Sequence, residues 1–208
     1  MYYYNYYHSP LGEILLKSTA DALTGLWFAG QKYFNPGDEG CFGSGERNEA
    51  HPVTGLKFGD KNDPYPVTEL KIFTETKKWL DIYFSGKEPD FTPELKPECS
   101  PFRKMVWEIM LSIPYGGTMS YGEIADQVAR ARGIKKMSAQ SVGQAVGHNA
   151  ISIIIPCHRV VGADGSLTGY GGGLDKKIRL LELEGLEITE SDGSPYEREI
   201  VHPKLKVK

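Results

Sequence analysis

Polar and apolar residues alternate differently along the two halves of the chain. The first third reads as strands. The segments 3–7, 12–18 and 23–28 are rich in β-branched, aromatic and aliphatic residues and are separated by turn signals. Residues 35–66, rich in Gly, Pro, Asn and Asp, read as a long irregular connection. From Val67 to Phe84 the period becomes helical. Leu70, Phe73, Lys77, Leu80 and Phe84 fall on one face, and Gly86 ends the element. Pro89 to Pro101 reads as a linker.

The second half is built from capped helices. Ser100-Pro101 offers an N-cap and a first-turn proline for a helix over 102–112, with Val106, Ile109, Met110 and Ile113 directed inward. Pro114-Tyr115-Gly116-Gly117 makes a turn. Ser120 and Glu123 have capping-box spacing and open a helix over 121–131. A turn through Gly133 leads to a second N-cap, Ser138, and a helix over 139–147. Two short helices joined in this way fit a helix-turn-helix. The apolar run Ile151-Ser152-Ile153-Ile154-Ile155 reads as strand-like. The boundaries expected are an N-terminal α/β domain over 1–98, with 88–99 as the linker region, a domain over 99–185, and a polar tail over 186–208.

Length and composition narrow the function classes. A chain of 208 residues holds one large or two small cores. No apolar run has membrane-spanning length, and the N-terminus lacks a signal-peptide pattern. Cys41, Cys99 and Cys157 are odd in number and widely spaced, which argues against a disulfide framework and for a reducing, cytoplasmic setting. The net charge of −3 alone speaks against a nucleic-acid binder. Its distribution says otherwise: residues 1–99 carry −5, residues 100–185 carry +3 and the rest −1. The positive block coincides with the helix-turn-helix.

That block also holds the candidate chemistry. Pro156-Cys157-His158-Arg159 places a cysteine beside an imidazole, the pairing that can hold a thiol as its nucleophilic thiolate. The glycine-rich run 168–173 follows, with no Lys-Ser or Lys-Thr pair to make it a phosphate loop. With the helix-turn-helix upstream, these motifs resemble the O6-alkylguanine–DNA alkyltransferase family, whose members move an alkyl group from guanine onto their own cysteine. The resemblance is strong over 100–185. In the first domain it rests on Ser9-Pro10-Leu11-Gly12 and residues 23–28.

The resemblance implies an α+β fold, an RNase-H-like N-terminal α/β domain followed by a mostly helical C-terminal domain with the helix-turn-helix. It implies Cys157 as acceptor, activated through a water by His158, with Glu184 orienting the imidazole. Glu184 sits at a helix C-terminus, where a carboxylate is unfavourable on dipole grounds. Tyr121 aids base extrusion and donates toward guanine N3, and Asn149 braces the turn before the cysteine. Substrate or DNA contacts fall on Gln140, Ser141, Ala145, Val160, Tyr170 and Gly171. Gly171 directs a backbone N–H at guanine O6 and leaves room for larger alkyl groups. The partner implied is double-stranded DNA carrying alkylated guanine, met through the minor groove by a monomer. No cofactor is needed, because the protein is itself the acceptor.

One position departs from a familiar version of the family. Gln140 stands where an arginine fills the gap left by the flipped base, and it lacks that residue's charge and stacking plane. Some relatives hold a zinc in the first domain. Cys41 and His51 here have no Cys-x-x-Cys partner spacing, so no metal is expected. Arg159 reads as an ion pair joining the two domains. Two other classes remain open to test. A non-catalytic sensor of alkylated DNA typically replaces the cysteine, which is present here. A cysteine hydrolase needs an oxyanion hole and leaves the helix-turn-helix unexplained.

Overall fold

The structure, a computed structural model, describes residues 1–33, 69–190 and 198–201. The irregular connection expected at 35–66, the Cys41–His51 pair and the first residues of the helix expected from Val67 lie outside these residues. Contacts divide the chain into two units. One holds Met1–Pro101 with His148–Ile154, the other Phe102–Gly147 with the chain from Ile155 onward.

The first unit begins with an antiparallel sheet of β1 (Tyr3–Ser9), β2 (Gly12–Ser18) and β3 (Leu23–Phe28), in that order. Ser9 closes the first hairpin: its hydroxyl donates to Gly12 O at 2.6 Å and accepts from Leu11 N–H at 3.1 Å. Gly12 has φ 110, a conformation that favours glycine there. Gly25 has a packing reason, since a Cβ would lie 1.9 Å from the Trp27 ring on the same face. β3 is buried along its whole length, so it shows no alternation. Its outer edge is covered twice. Leu23 N–H bonds Glu94 O and Lys96 N–H bonds Leu23 O. Leu26 N–H bonds Ala150 O and Ser152 N–H bonds Leu26 O. The stretch 89–101 is therefore more than a linker, because part of it protects a sheet edge.

Helix α1 (Lys71–Phe84) packs on this sheet through Ile72, Phe73, Thr76, Trp79, Leu80 and Tyr83. The face expected from periodicity is right at Phe73 and Leu80. Lys77 and Phe84 are only half-buried, because Trp79 and Tyr83 turn the buried stripe toward themselves.

The second unit contains α2 (Pro101–Leu111), the two-residue strand β4 (Met119–Ser120), α3 (Tyr121–Ala131) and α4 (Ala139–Gly147). Val106, Trp107, Met110 and Ile113 are buried, whereas Ile109 is half-buried, Trp107 taking the place expected for it. The capping box forms as the sequence implies: Ser120 Oγ accepts from Glu123 N–H, and the Glu123 carboxylate accepts from Ser120 N–H at 2.7 Å. Gly133 at φ 63 makes the turn, and Ser138 Oγ receives Ser141 N–H at 3.4 Å. A 3-10 turn (Cys157–Arg159) then leads into β5 (Val160–Val161), which pairs parallel with β4, Met119 opposite Val160. This pairing sets the first turn of α3 beside the strand that leaves Cys157.

α5 (Leu174–Leu183) precedes the antiparallel pair β6 (Glu187–Glu190) and β7 (Arg198–Val201). The expectation of a plain polar tail is corrected here. Leu186 and Ile200 join Val161, Leu167, Ile178 and Leu181 in one buried cluster, with Leu174 and Ile188 against it. No helix among the described residues is long and apolar enough to cross a membrane.

Candidate active site

The run from Ile151 to Val161 is buried throughout, yet no strand forms before β5 at its end. Its apolar composition reflects enclosure. Asn149, itself buried, accepts Ile151 N–H on Oδ1 at 3.1 Å, a side-chain turn that sets the chain's direction. Ile153 takes a left-handed backbone, at φ 68. A β-branched residue rarely adopts it, and such strain costs on the order of 1–3 kcal/mol. Ile154 N–H closes the tight turn around Ile153 on Ser152 O at 2.8 Å. A second tight turn is centred on Pro156, with φ −83 and ψ 64, and is closed by Cys157 N–H on Ile155 O. The proline ring favours this φ, so Pro156 delivers Cys157 to the head of the 3-10 turn. Cys157 is 7% exposed.

Next to it lies a buried charge array. His158 Nε2 is 2.7 Å from Glu184 Oε1. Arg159 grips the same carboxylate with two bonds, Nε to Oε2 at 2.9 Å and Nη2 to Oε1 at 3.0 Å. Its remaining Nη1 donates to Ile113 O at 2.7 Å. Arg159 thus joins elements within the second unit, which corrects the expectation of an interdomain ion pair. Gly116 N–H adds a further bond to Glu184 Oε2 at 3.1 Å, and Tyr115 hydroxyl donates to Leu183 O. Gly116 has φ 70, and a Cβ there would stand 2.9 Å from Glu184 O, so glycine is required at this turn.

Burial alone would raise the Glu184 pKa, but hydrogen bonds and charge from His158 and Arg159 outweigh it and hold the carboxyl at about 2. Burial pushes His158 below its ordinary value, with Glu184 opposing. An ionised Glu184 accepts, so the neutral imidazole donates from Nε2, which makes Nδ1 the ring's accepting nitrogen. This orients an imidazole as a base beside a cysteine.

Tyr121 begins α3, with the Thr168 side chain near its hydroxyl. Burial is the main cause of its raised pKa, which keeps it a phenol able to donate. A Cβ on Gly143 would sit 3.8 Å from the Tyr121 ring, so α4 passes close to it. Gln140 is exposed, Ser141 half-buried, and Tyr170 and Gly171 half-buried in the glycine-rich loop. Two expected contact residues are placed otherwise. Ala145 is 2% exposed, with its carbonyl receiving Trp107 Nε1 at 2.9 Å, so it belongs to the core and not to an outer surface. Val160 is fully enclosed, because the β4–β5 pair closes over it. Sequence reasoning missed Lys177, whose Nζ donates to Val160 O at 2.6 Å and Thr168 O at 2.8 Å. It also took the turn 114–117 for a plain connection. The helix-turn-helix carries exposed Arg130, Arg132, Lys135 and Lys136 around its turn.

Comparison with known proteins follows the same division. The family model for the ribonuclease-like domain of 6-O-methylguanine DNA methyltransferase matches residues 2–97, and that for its DNA-binding domain matches 101–186. A methylated-DNA–protein-cysteine methyltransferase of Mycobacterium bovis is 39% identical over 186 residues, covering 88% of this chain and 93% of the relative. One from Methanosarcina acetivorans is 38% identical over 183 residues, covering 88% and 98%. The crystal structure of Mycobacterium tuberculosis OGT in complex with DNA aligns with a TM-score of 0.65 at 36% identity, covering 88% of this chain and 92% of that one. On these matches the chain belongs to the 6-O-methylguanine-DNA methyltransferase family.

Proposed function

We propose that this protein repairs DNA by moving the alkyl group of O6-alkylguanine onto the sulfur of Cys157, once per molecule. The observation that carries the reading is the buried array of His158, Glu184 and Arg159 directly after a cysteine presented by a proline-centred turn. His158 takes the thiol proton through a bridging water, and Glu184 stabilises the imidazolium that forms. The thiolate attacks the alkyl carbon in line. The new C–S bond forms as the C–O6 bond breaks, and its electron pair leaves with guanine, which takes up a proton. Tyr121, held as a phenol, donates toward guanine N3 and makes the base a better leaving group. The thioether has no easy route back, so the acceptor is consumed. A reduced thiol of this kind suits a reducing compartment such as the cytoplasm.

Guanine O6 is shielded in the duplex, so the base must leave the stack to meet a buried cysteine. The relative crystallised with DNA supports a DNA substrate, as do the exposed basic residues of the helix-turn-helix. Small residues along α4, Ala139, Ser141 and Gly143, suit close approach in the narrow minor groove. In this reading α4 enters that groove as part of a monomer, Gln140 faces the gap left by the base, and Tyr170 and Gly171 wall the base pocket. Asn149 acts at one remove, by bracing the turn.

Cys157→Ala tests the assignment. Transfer of a labelled methyl group from an O6-methylguanine duplex should vanish, while binding to that duplex stays within about threefold, because phosphate contacts position the protein. Methyl uptake by the alanine protein would overturn the reading.

A further inference from the structure

Lys177 is fully enclosed on α5, a rare fate for lysine. Its Nζ spans two carbonyls that lie far apart in function. Val160 O is three residues past Cys157, on the strand that leaves the nucleophile, and Thr168 O opens the glycine-rich loop. One ammonium therefore links the strand that leaves Cys157 and the loop carrying Tyr170 and Gly171. Its charge acts on Cys157 and His158.

Burial lowers the Lys177 pKa to about 8, with Cys157 acting in the opposite direction. A value depressed from 10.5 means that holding the cation inside the protein at neutral pH costs stability. The two carbonyls explain a donor at this place, and a thiolate partner explains why that donor carries a charge.

We propose that Lys177 is a positioning residue for alkyl transfer, tying the glycine-rich loop to the strand that leaves Cys157 and setting a positive charge beside that thiol. The proposal rests on Cys157 being the acceptor. A cation beside a thiol favours the thiolate and disfavours a protonated His158, which keeps the imidazole ready to accept.

The test compares wild type with Lys177→Met, which keeps chain length but loses charge and donors, Lys177→Gln, which keeps donors but loses charge, and Lys177→Arg, which keeps charge. Two quantities are read on folded protein. One is the pH midpoint of Cys157 alkylation by iodoacetamide, located by peptide mass. The other is the single-turnover rate on a methylated duplex. The two neutral variants should raise the midpoint by about one unit and slow transfer roughly tenfold at neutral pH, and Lys177→Arg should restore the midpoint. Where Lys177→Met fails to fold, Lys177→Gln carries the comparison. An unchanged midpoint in Lys177→Gln overturns the proposal. Iodoacetamide needs no DNA, so that result is distinct from a wild type that takes up no methyl group, which overturns the transfer reading instead.

Discussion

At the scale of single residues, the site turns on one carboxylate. Glu184 closes α5, where a negative charge is disfavoured by the helix dipole. Its four bonds from Arg159, His158 and Gly116 explain why it is tolerated there. The folded pKa values of Glu184 and His158 both lie below their unfolded ones, so acid favours the unfolded chain. The imidazole's share of stability is complete above its ordinary value of 6.5 and is lost as pH falls below it. The carboxylate's share is complete above 4.5 and is lost toward about 2. Glu184→Gln should lower stability at pH 7 by about 3 kcal/mol or more, since it strands a buried guanidinium. Its further loss below about pH 4.5 should be smaller than in wild type. Urea unfolding across that pH range checks both, and parallel curves would sever the link to Glu184. Residue identities revealed part of this array in advance. His158 and Glu184 were legible through the resemblance. The hold of Arg159 and of the turn at Gly116 was not, because those partners lie 25 and 68 residues away in sequence. Lys177 sits between Lys176 and Arg179 and looks like one more solvated charge.

At the scale of elements, local signals and long-range packing part company. The capping box opening α3 and the limits of α3 and α4 follow from nearby residues, and the structure has them where the sequence implies. The run 151–155 shows the opposite case: apolar composition reports burial, and its backbone is met by Asn149, by Leu26 on the edge of β3 and by tight turns, not by a strand of its own. The hairpin β6–β7 was illegible for the same reason, since its polar composition hides a few inward residues. Leu186 and Ile200 are buried with Ile188 alongside. Full burial of an aliphatic side chain is worth about 1.5–3 kcal/mol. Ending the chain at Gly185 should then cost roughly 3–5 kcal/mol as an upper figure. Thermal unfolding should show a midpoint lower by about 10 °C. An unchanged midpoint would mean that the hairpin does not cover this core. For α4, Gln140→Arg should speed transfer on duplex DNA by roughly three- to tenfold, the worth of an exposed charge-assisted bond. Free O6-benzylguanine has no stack to repair and should react at the unchanged rate. The comparison belongs at one salt concentration, since DNA binding is salt-dependent. Equal changes on both substrates would place Gln140 away from the extruded base.

At the scale of the whole molecule, two folded units divide the labour, one with the sheet and α1, the other with the helix-turn-helix and the charge array. The chain passes from the second unit into the first at His148–Ile154 and back again just before Cys157. The expected boundary near residue 99 was legible from proline content, but this return was not. Hydrogen bonds to Leu26 create it, and nothing local to residues 148–154 announces a partner over a hundred residues earlier. The central claim is that one alkyl group ends on one sulfur. It is tested most directly by intact mass of the wild-type protein after incubation with excess O6-methylguanine duplex, followed by peptide mapping. The account predicts a gain of a single methyl group per chain, carried on Cys157, with no further gain and no turnover as DNA is added. Methyl on another residue, no gain on a protein that binds the duplex, or continued turnover without a modified protein would each contradict it.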